Sequence, residues 1–228
     1  MQHKRGRWVN PTSLCRAVLF ITNAQIDAPG QQNERLGTGV IAFFGGLIIF
    51  LGIHSVRIFA SEPRQRFIAA YGEGPWKGVY SLVAIASFVA MIYGYPAAKA
   101  GLGFVWAPPV WTRHLAVVLM LPALIALVAA YVPSKLKAKL KHLMLVAIKI
   151  WALAHLLANG LGVHLVLFGS FLVWAVMDRI SVKRRGEPDP VAPSGWTGDI
   201  IVVVVGTVAW VVLLLWAHQW LFGIAPIG

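Results

Sequence analysis

Residues 142–180 read HLMLVAIKIWALAHLLANGLGVHLVLFGSFLVWAVMDRI, and this stretch decides the fold class. Two apolar runs, 142–159 and 162–180, are separated by little more than Asn159, Gly160 and Leu161, and Lys149 is the one formal charge before Asp178. A transmembrane helix needs about 20 mostly apolar residues. In lipid no water can bond a bare backbone, so such runs must satisfy their own amides as helices. Joined by so short a link, the two runs form a tight antiparallel helical hairpin.

Four more runs of the same kind lie outward from this hairpin, at 39–60, 78–97 and 111–131 before it and at 200–222 after it. The sequence therefore predicts an all-α, polytopic membrane helical bundle of about six transmembrane helices over residues 38–228. Residues 1–37 are expected to form a polar, disordered tail. Its apolar stretch Leu14–Ile21 is short and interrupted by Arg16, which makes a poor core for a cleaved secretory signal. Residues 183–198, KRRGEPDPVAPSGWTG, read as an exposed loop from their Pro, Gly and charge content. Only 12% of residues are charged and the mean hydropathy is +0.73, against about 25% charged in soluble domains. That leaves too little polar surface for a water-facing domain.

The net charge of +12 is not spread evenly. Three loops carry the bulk of it: Arg57, Arg64, Arg66 and Lys77 after the first run, Lys135, Lys137, Lys139 and Lys141 after the third, and Arg179, Lys183, Arg184 and Arg185 after the fifth. The opposite loops hold only Lys99 and Arg113. Basic loops stay cytoplasmic, so these three should lie in the cytoplasm with both termini outside. The tail residues Lys4, Arg5, Arg7, Arg16 and Arg35 run against this, and the agreement of three loops outweighs them. Basic clusters between apolar runs make no stripe for a nucleic acid, so the expected partner is the lipid bilayer. Tyr71, Trp76 and Tyr80, and Trp106 and Trp111, bracket run ends as headgroup-level anchors.

All eight acidic residues fall in loops or at run ends. Proton- and cation-coupled transporters use intramembrane carboxylates, so the pattern argues against that class. It also removes a carboxylate dyad or a Ser-His-Asp triad inside the bundle. Cys15 is the only thiol, which excludes an internal disulfide or a cysteine-rich metal site. Lys149 lies well inside a run, where it either snorkels to a polar edge or serves a site. The remaining chemistry belongs to His54, His114, His142, His155, His164 and His218. Imidazoles without internal carboxylates suit haem iron better than a proton relay. The plain alternative for each is an imidazole that packs and bonds a backbone carbonyl. Arg57 follows His54 by three residues and shares its helix face, at a spacing suited to a haem propionate. Trp151, His155 and Asn159 recur every fourth residue and form one stripe that should point away from lipid.

Four segments carry a family resemblance: GIHSVR at 52–57, GEGPWKGVYS at 72–81, WALAHLLANG at 151–160 and FGSFLVWAV at 168–176. Over about residues 38–222 the chain resembles the NnrU family, bacterial inner-membrane proteins associated with nitrite and nitric oxide reduction. The family includes the plant 15-cis-zeta-carotene isomerase, similar to a haem b enzyme with histidine ligands. The resemblance implies haem b held by His54 and His155, with respiratory nitrogen-oxide reductase components as partners, and the spacing adds Arg57, Trp151 and Asn159 as the residues around it. It leaves two roles open, one with electron-transfer or isomerase-like chemistry and one as a non-catalytic assembly or regulatory factor. The isomerase has a cysteine where this chain has Ala152, so a thiol–histidine ligand exchange has no donor here. The expected depths of His54 and His155 differ by about 10 Å at 1.5 Å per residue. Depth alone pairs His54 with His142 and His155 with His114, and these two stand as rival ligands.

Overall fold

The structure, a computed structural model, describes residues 29–186 and 190–227. In chain order its helices are α1 (Pro29–His54), α2 (Val56–Phe59), α3 (Ser61–Tyr71), α4 (Glu73–Leu102), α5 (Val110–Tyr131), α6 (Lys135–Leu140), α7 (Leu143–Ala158), α8 (Gly162–Arg185) and α9 (Thr197–Phe222), the last with a π-helical turn at Leu213–Ala217. Among the described residues the only strand-like feature is an isolated bridge between Phe104 and Leu161. The all-α membrane bundle follows.

Five helices, α1, α4, α5, α8 and α9, are long and apolar enough to cross a membrane. The sixth, α7, has 16 residues and is about 24 Å long, shorter than a hydrocarbon core of about 30 Å. It is bounded by His142, whose backbone is left-handed at φ 32°, and by Asn159 in extended conformation. The first span differs from its expected limits at both ends. Helix α1 already runs from Pro29, so residues 29–37 are helical rather than tail, while residues 1–28 lie outside the described residues. It also stops at His54, because Ser55 breaks the chain into the short turn of α2. His54 therefore closes its helix instead of lying inside it.

Small residues set the packing. Helices α1 and α4 approach so closely that a Cβ on Gly46 would meet the Ser87 carbonyl at 2.7 Å, and one on Gly94 would overlap the Gly39 carbonyl and the Phe43 amide. Such small-residue contacts let helix backbones meet where lipid offers no hydrophobic drive. A second group forms where α7 packs on α5 through Leu143, Ala147, Ala126 and Ala129, with Val202 of α9 on the same cluster. Helix α8 joins the groups. Its Val163 lies in the cluster of Phe43, Leu47, Met91 and Ala98, and its Ala175 and Val182 pack with Leu145 of α7.

The two ends are tied by different means. At one end Arg185 donates to the Arg57 carbonyl at 3.2 Å, the amides of Lys135 and Leu136 donate to the Asp199 carboxylate at 3.2 and 2.9 Å, and the Lys135 ammonium stands 3.6 Å over the Trp196 ring. At the other end the Val105 and Trp106 amides donate to the Gly160 carbonyl, and the Gly162 amide to that of Gly103. The three basic loops thus gather at one end of the bundle.

Candidate functional site

Helix α8 carries the stripe on which the candidate site is built. His164, Phe168, Phe171 and Trp174 recur at spacings of four, three and three residues, which puts them along one helix face. Phe171 contacts Phe50 of α1 at 5.8 Å between ring centroids and Trp151 of α7 at 5.6 Å. The face of α8 therefore looks into the space between α1 and α7, and aromatic side chains line it from both sides.

His54 stands at the basic end of this stripe. Its ring lies 4.3 Å from Phe50, 5.4 Å from Tyr80 and 6.0 Å from Trp174, edge-on to the last. Its Nδ1 is 2.7 Å from the Phe50 carbonyl four residues back. A carbonyl oxygen only accepts, so Nδ1 carries the proton and Nε2 keeps its lone pair. His155 repeats the arrangement near the other end of α7, with Nδ1 donating to the Trp151 carbonyl at 2.8 Å. Its ring lies 4.5 Å from Phe168 and 5.3 Å from Trp151. A backbone carbonyl on one imidazole nitrogen fixes the tautomer and leaves the other free to ligate.

The stripe expected at 151–159 is a hydrogen-bonded ladder within α7. Trp151 accepts from His155, and the His155 carbonyl accepts from Asn159 Nδ2 at 2.9 Å. Asn159 thereby caps the helix. Arg57 is exposed beyond His54, and the Arg185 that bonds its carbonyl also reaches Ser181 and lies 3.8 Å from Asp178. The rivals are placed elsewhere. His114 is exposed near the start of α5, and His142 precedes α7 at the end opposite His155. Lys149 is half-buried and lies two residues, or about 200° around α7, from Trp151, off the site face.

His54 and His155 do not touch. His54 packs on Trp174 and His155 on Phe168, six residues apart on α8, which is about 9 Å along the helix. The rings of Phe50, Phe171 and Trp151 form a continuous chain between them. The donor chemistry fits haem, since both imidazoles present a free Nε2 amid aromatic walls.

One group was not singled out from the sequence as a site residue. His164 is buried in α8 at 8% exposure, with its Nε2 2.6 Å from the Tyr95 hydroxyl of α4 and its Nδ1 buried without a hydrogen-bond partner. Its ring lies 5.9 Å from Phe168, the phenyl that also contacts His155. The Trp174 Nε1 is likewise buried and unpartnered. Among the described residues no group of three or more His, Cys, Asp or Glu side chains gathers to hold a bare metal ion.

The family model described as NnrU protein matches residues 42–226. No curated protein and no solved structure matches the chain. The family match spans the second half of α1 and all of α2 to α9, and so reaches every helix that contributes to the aromatic stripe and its histidines. The chain belongs to the NnrU family.

Proposed function

We propose that this protein binds haem b in the membrane and supports the respiratory metabolism of nitrite and nitric oxide, with its basic loops on the cytoplasmic side of a bacterial inner membrane. The observation that carries the reading is the state of His155, with one nitrogen committed to the Trp151 carbonyl and the other free beside Phe168. The family resemblance adds His54 as the second ligand, and the spacing of Arg57, three residues on, suits a propionate. Haem, when bound, supplies one-electron redox chemistry. The chain's own residues hold and orient: the Trp151 carbonyl fixes the His155 ring, Asn159 ends the helix one turn later, and Phe168, Phe171 and Trp151 exclude water. Ala152, fully buried, leaves no thiol to exchange for an imidazole. That favours electron transfer toward nitrogen-oxide reductase components over isomerisation.

The continuous ring chain of Phe50, Phe171 and Trp151 supports a second reading, a non-catalytic assembly or regulatory factor whose histidines only pack. Optical spectra of the detergent-solubilised protein, expressed with ample haem, separate the two. A haem protein gives a Soret band that shifts on reduction. A colourless preparation leaves the assembly factor in front.

A further inference from the structure

We infer that Lys149, Arg179 and Lys183 together bind the phosphate of an anionic phospholipid, on the face of the α7–α8 hairpin turned away from α1. Helix geometry brings the three together. Trp174 of α8 meets His54 of α1 edge-on, and the next residue, Ala175, packs with Leu145 of α7. Four residues turn a helix about 40° past one full turn, so Arg179 lies just past the α7 contact and Lys183 beyond it, on the flank of α8 away from α1. On α7, Trp151 faces Phe171 and the α1 side, and Leu145 meets α8. Lys149 lies about 40° past Leu145, on the far side from Trp151. The two helices run antiparallel, and helical side chains tilt toward their own N-terminus. Lys149 starts about 10 Å inside the beginning of α7 and leans toward the basic end, while Arg179 leans inward to meet it.

Lys149 and Arg179 are half-buried, and among the described residues neither they nor Lys183 make a hydrogen bond, ion pair or ring contact. The acidic side chains at this end are engaged elsewhere. Asp178 turns to Arg185 at 3.8 Å, Asp199 accepts from the Lys135 and Leu136 amides, and Glu62 and Glu73 pair with Arg66 and Lys77. A cation at hydrocarbon depth is costly without a counter-charge. A second copy of this chain has none to offer there, because all eight of its acidic residues fall in loops or at run ends. The three cations step outward from the hydrocarbon to the headgroup level, which is where a phospholipid carries its phosphate. Arginine gives that group a planar fork and lysine a point charge, and basic pockets between membrane helices hold such head groups. The site shares no residue with the histidine pair and does not depend on the haem reading.

The test titrates the full-length protein, in non-ionic detergent, with phosphatidylglycerol or phosphatidylcholine and counts bound lipid by native mass spectrometry. Salt is held at about 0.15 M, where charges more than about 8 Å apart are largely screened. Wild type should retain phosphatidylglycerol in preference to phosphatidylcholine. Lys149→Gln combined with Arg179→Gln should weaken phosphatidylglycerol by about fivefold for each cation removed. Lys139→Gln combined with Arg184→Gln removes the same charge from exposed positions at the same end and should weaken it by less than about twofold. Equal losses in the two pairs would mean a diffuse basic surface and overturn the inference. So would a wild type without preference for phosphatidylglycerol, the result expected if Lys149 only snorkels or meets a carboxylate of another membrane protein. Excess inorganic phosphate should not displace the lipid, and displacement would make the free anion the ligand and overturn the lipid. Should the first pair fail to fold, Arg179→Lys decides. It keeps the charge and loses the fork, so phosphatidylglycerol affinity should fall while the melting temperature without lipid stays, and unchanged affinity overturns the site.

Discussion

Asn159 serves the site through the backbone it holds. Its side-chain amide donates to the His155 carbonyl, which also accepts the Asn159 backbone amide, the last helical bond of α7. Asn159→Ala leaves that carbonyl with only the Asn159 amide and should lower stability by about 1 kcal/mol. Thermal unfolding in detergent would record this, while Asn159→Asp, which keeps the shape but cannot donate, should behave like the alanine variant. Trp151, His155 and Asn159 were legible as one stripe because every contact among them spans four residues. His164 was not, because the group that fixes its ring, Tyr95, lies 69 residues away on another helix. Sequence gave that histidine no more distinction than the exposed His114. What could have marked it is the run of ring-bearing residues at 164, 168, 171 and 174, whose spacing alone puts an imidazole on an aromatic face.

At the scale of elements the decisive contacts are glycine contacts. Gly94 of α4 lies against the α1 backbone at Gly39 and Phe43, with no room for a Cβ, whereas Gly45, one residue from the equally crowded Gly46, has nothing within 4 Å. Gly94→Ala should force the two helices apart and cost about 1–3 kcal/mol. Gly45→Ala should be neutral or slightly stabilising, since glycine is a poorer helix former than alanine. Comparing their melting temperatures in one detergent tests the pair, and equal effects would refute the close approach. Asp199 does for α6 what the glycines do for α4. Its carboxylate caps the Lys135 and Leu136 amides beside the Ser134 cap, so Asp199→Ala should cost about 1 kcal/mol and loosen the loop without moving the spans. Hydrogen exchange at residues 135–140 would report it. The long apolar runs betrayed the spans to within a few residues at most ends, but α3 and α6 looked like loops. SEPRQRFIAAY and KLKAKL are polar and short, and their helicity comes from what they rest on, such as Trp76 under Phe67 and Asp199 under α6.

For the whole molecule the question is how many times the chain crosses, since α7 alone falls short of the bilayer thickness. The ties at its ends answer it. The 103–106 segment is bonded to the turn at 160–162, and α6, just before α7, is bonded to the start of α9 at the opposite end. Helix α7 thus connects the two ends, and a short span is accommodated by local thinning of the bilayer. If α7 crosses, six spans would put the start of α1 and the end of α9 on one side, away from the basic loops, which on the proposed reading are cytoplasmic. In a Cys15→Ser background, single cysteines placed at the exposed positions Lys139 and Ala107 report on opposite ends. A membrane-impermeant maleimide added to intact cells with a permeabilised outer barrier should label Ala107→Cys and spare Lys139→Cys, and inverted vesicles should reverse the pattern. Ile227→Cys should follow Ala107→Cys, because an even number of spans separates it from the first terminus. If it follows Lys139→Cys instead, α7 does not cross. The antiparallel transmembrane hairpin of α7 and α8 would then have to be abandoned.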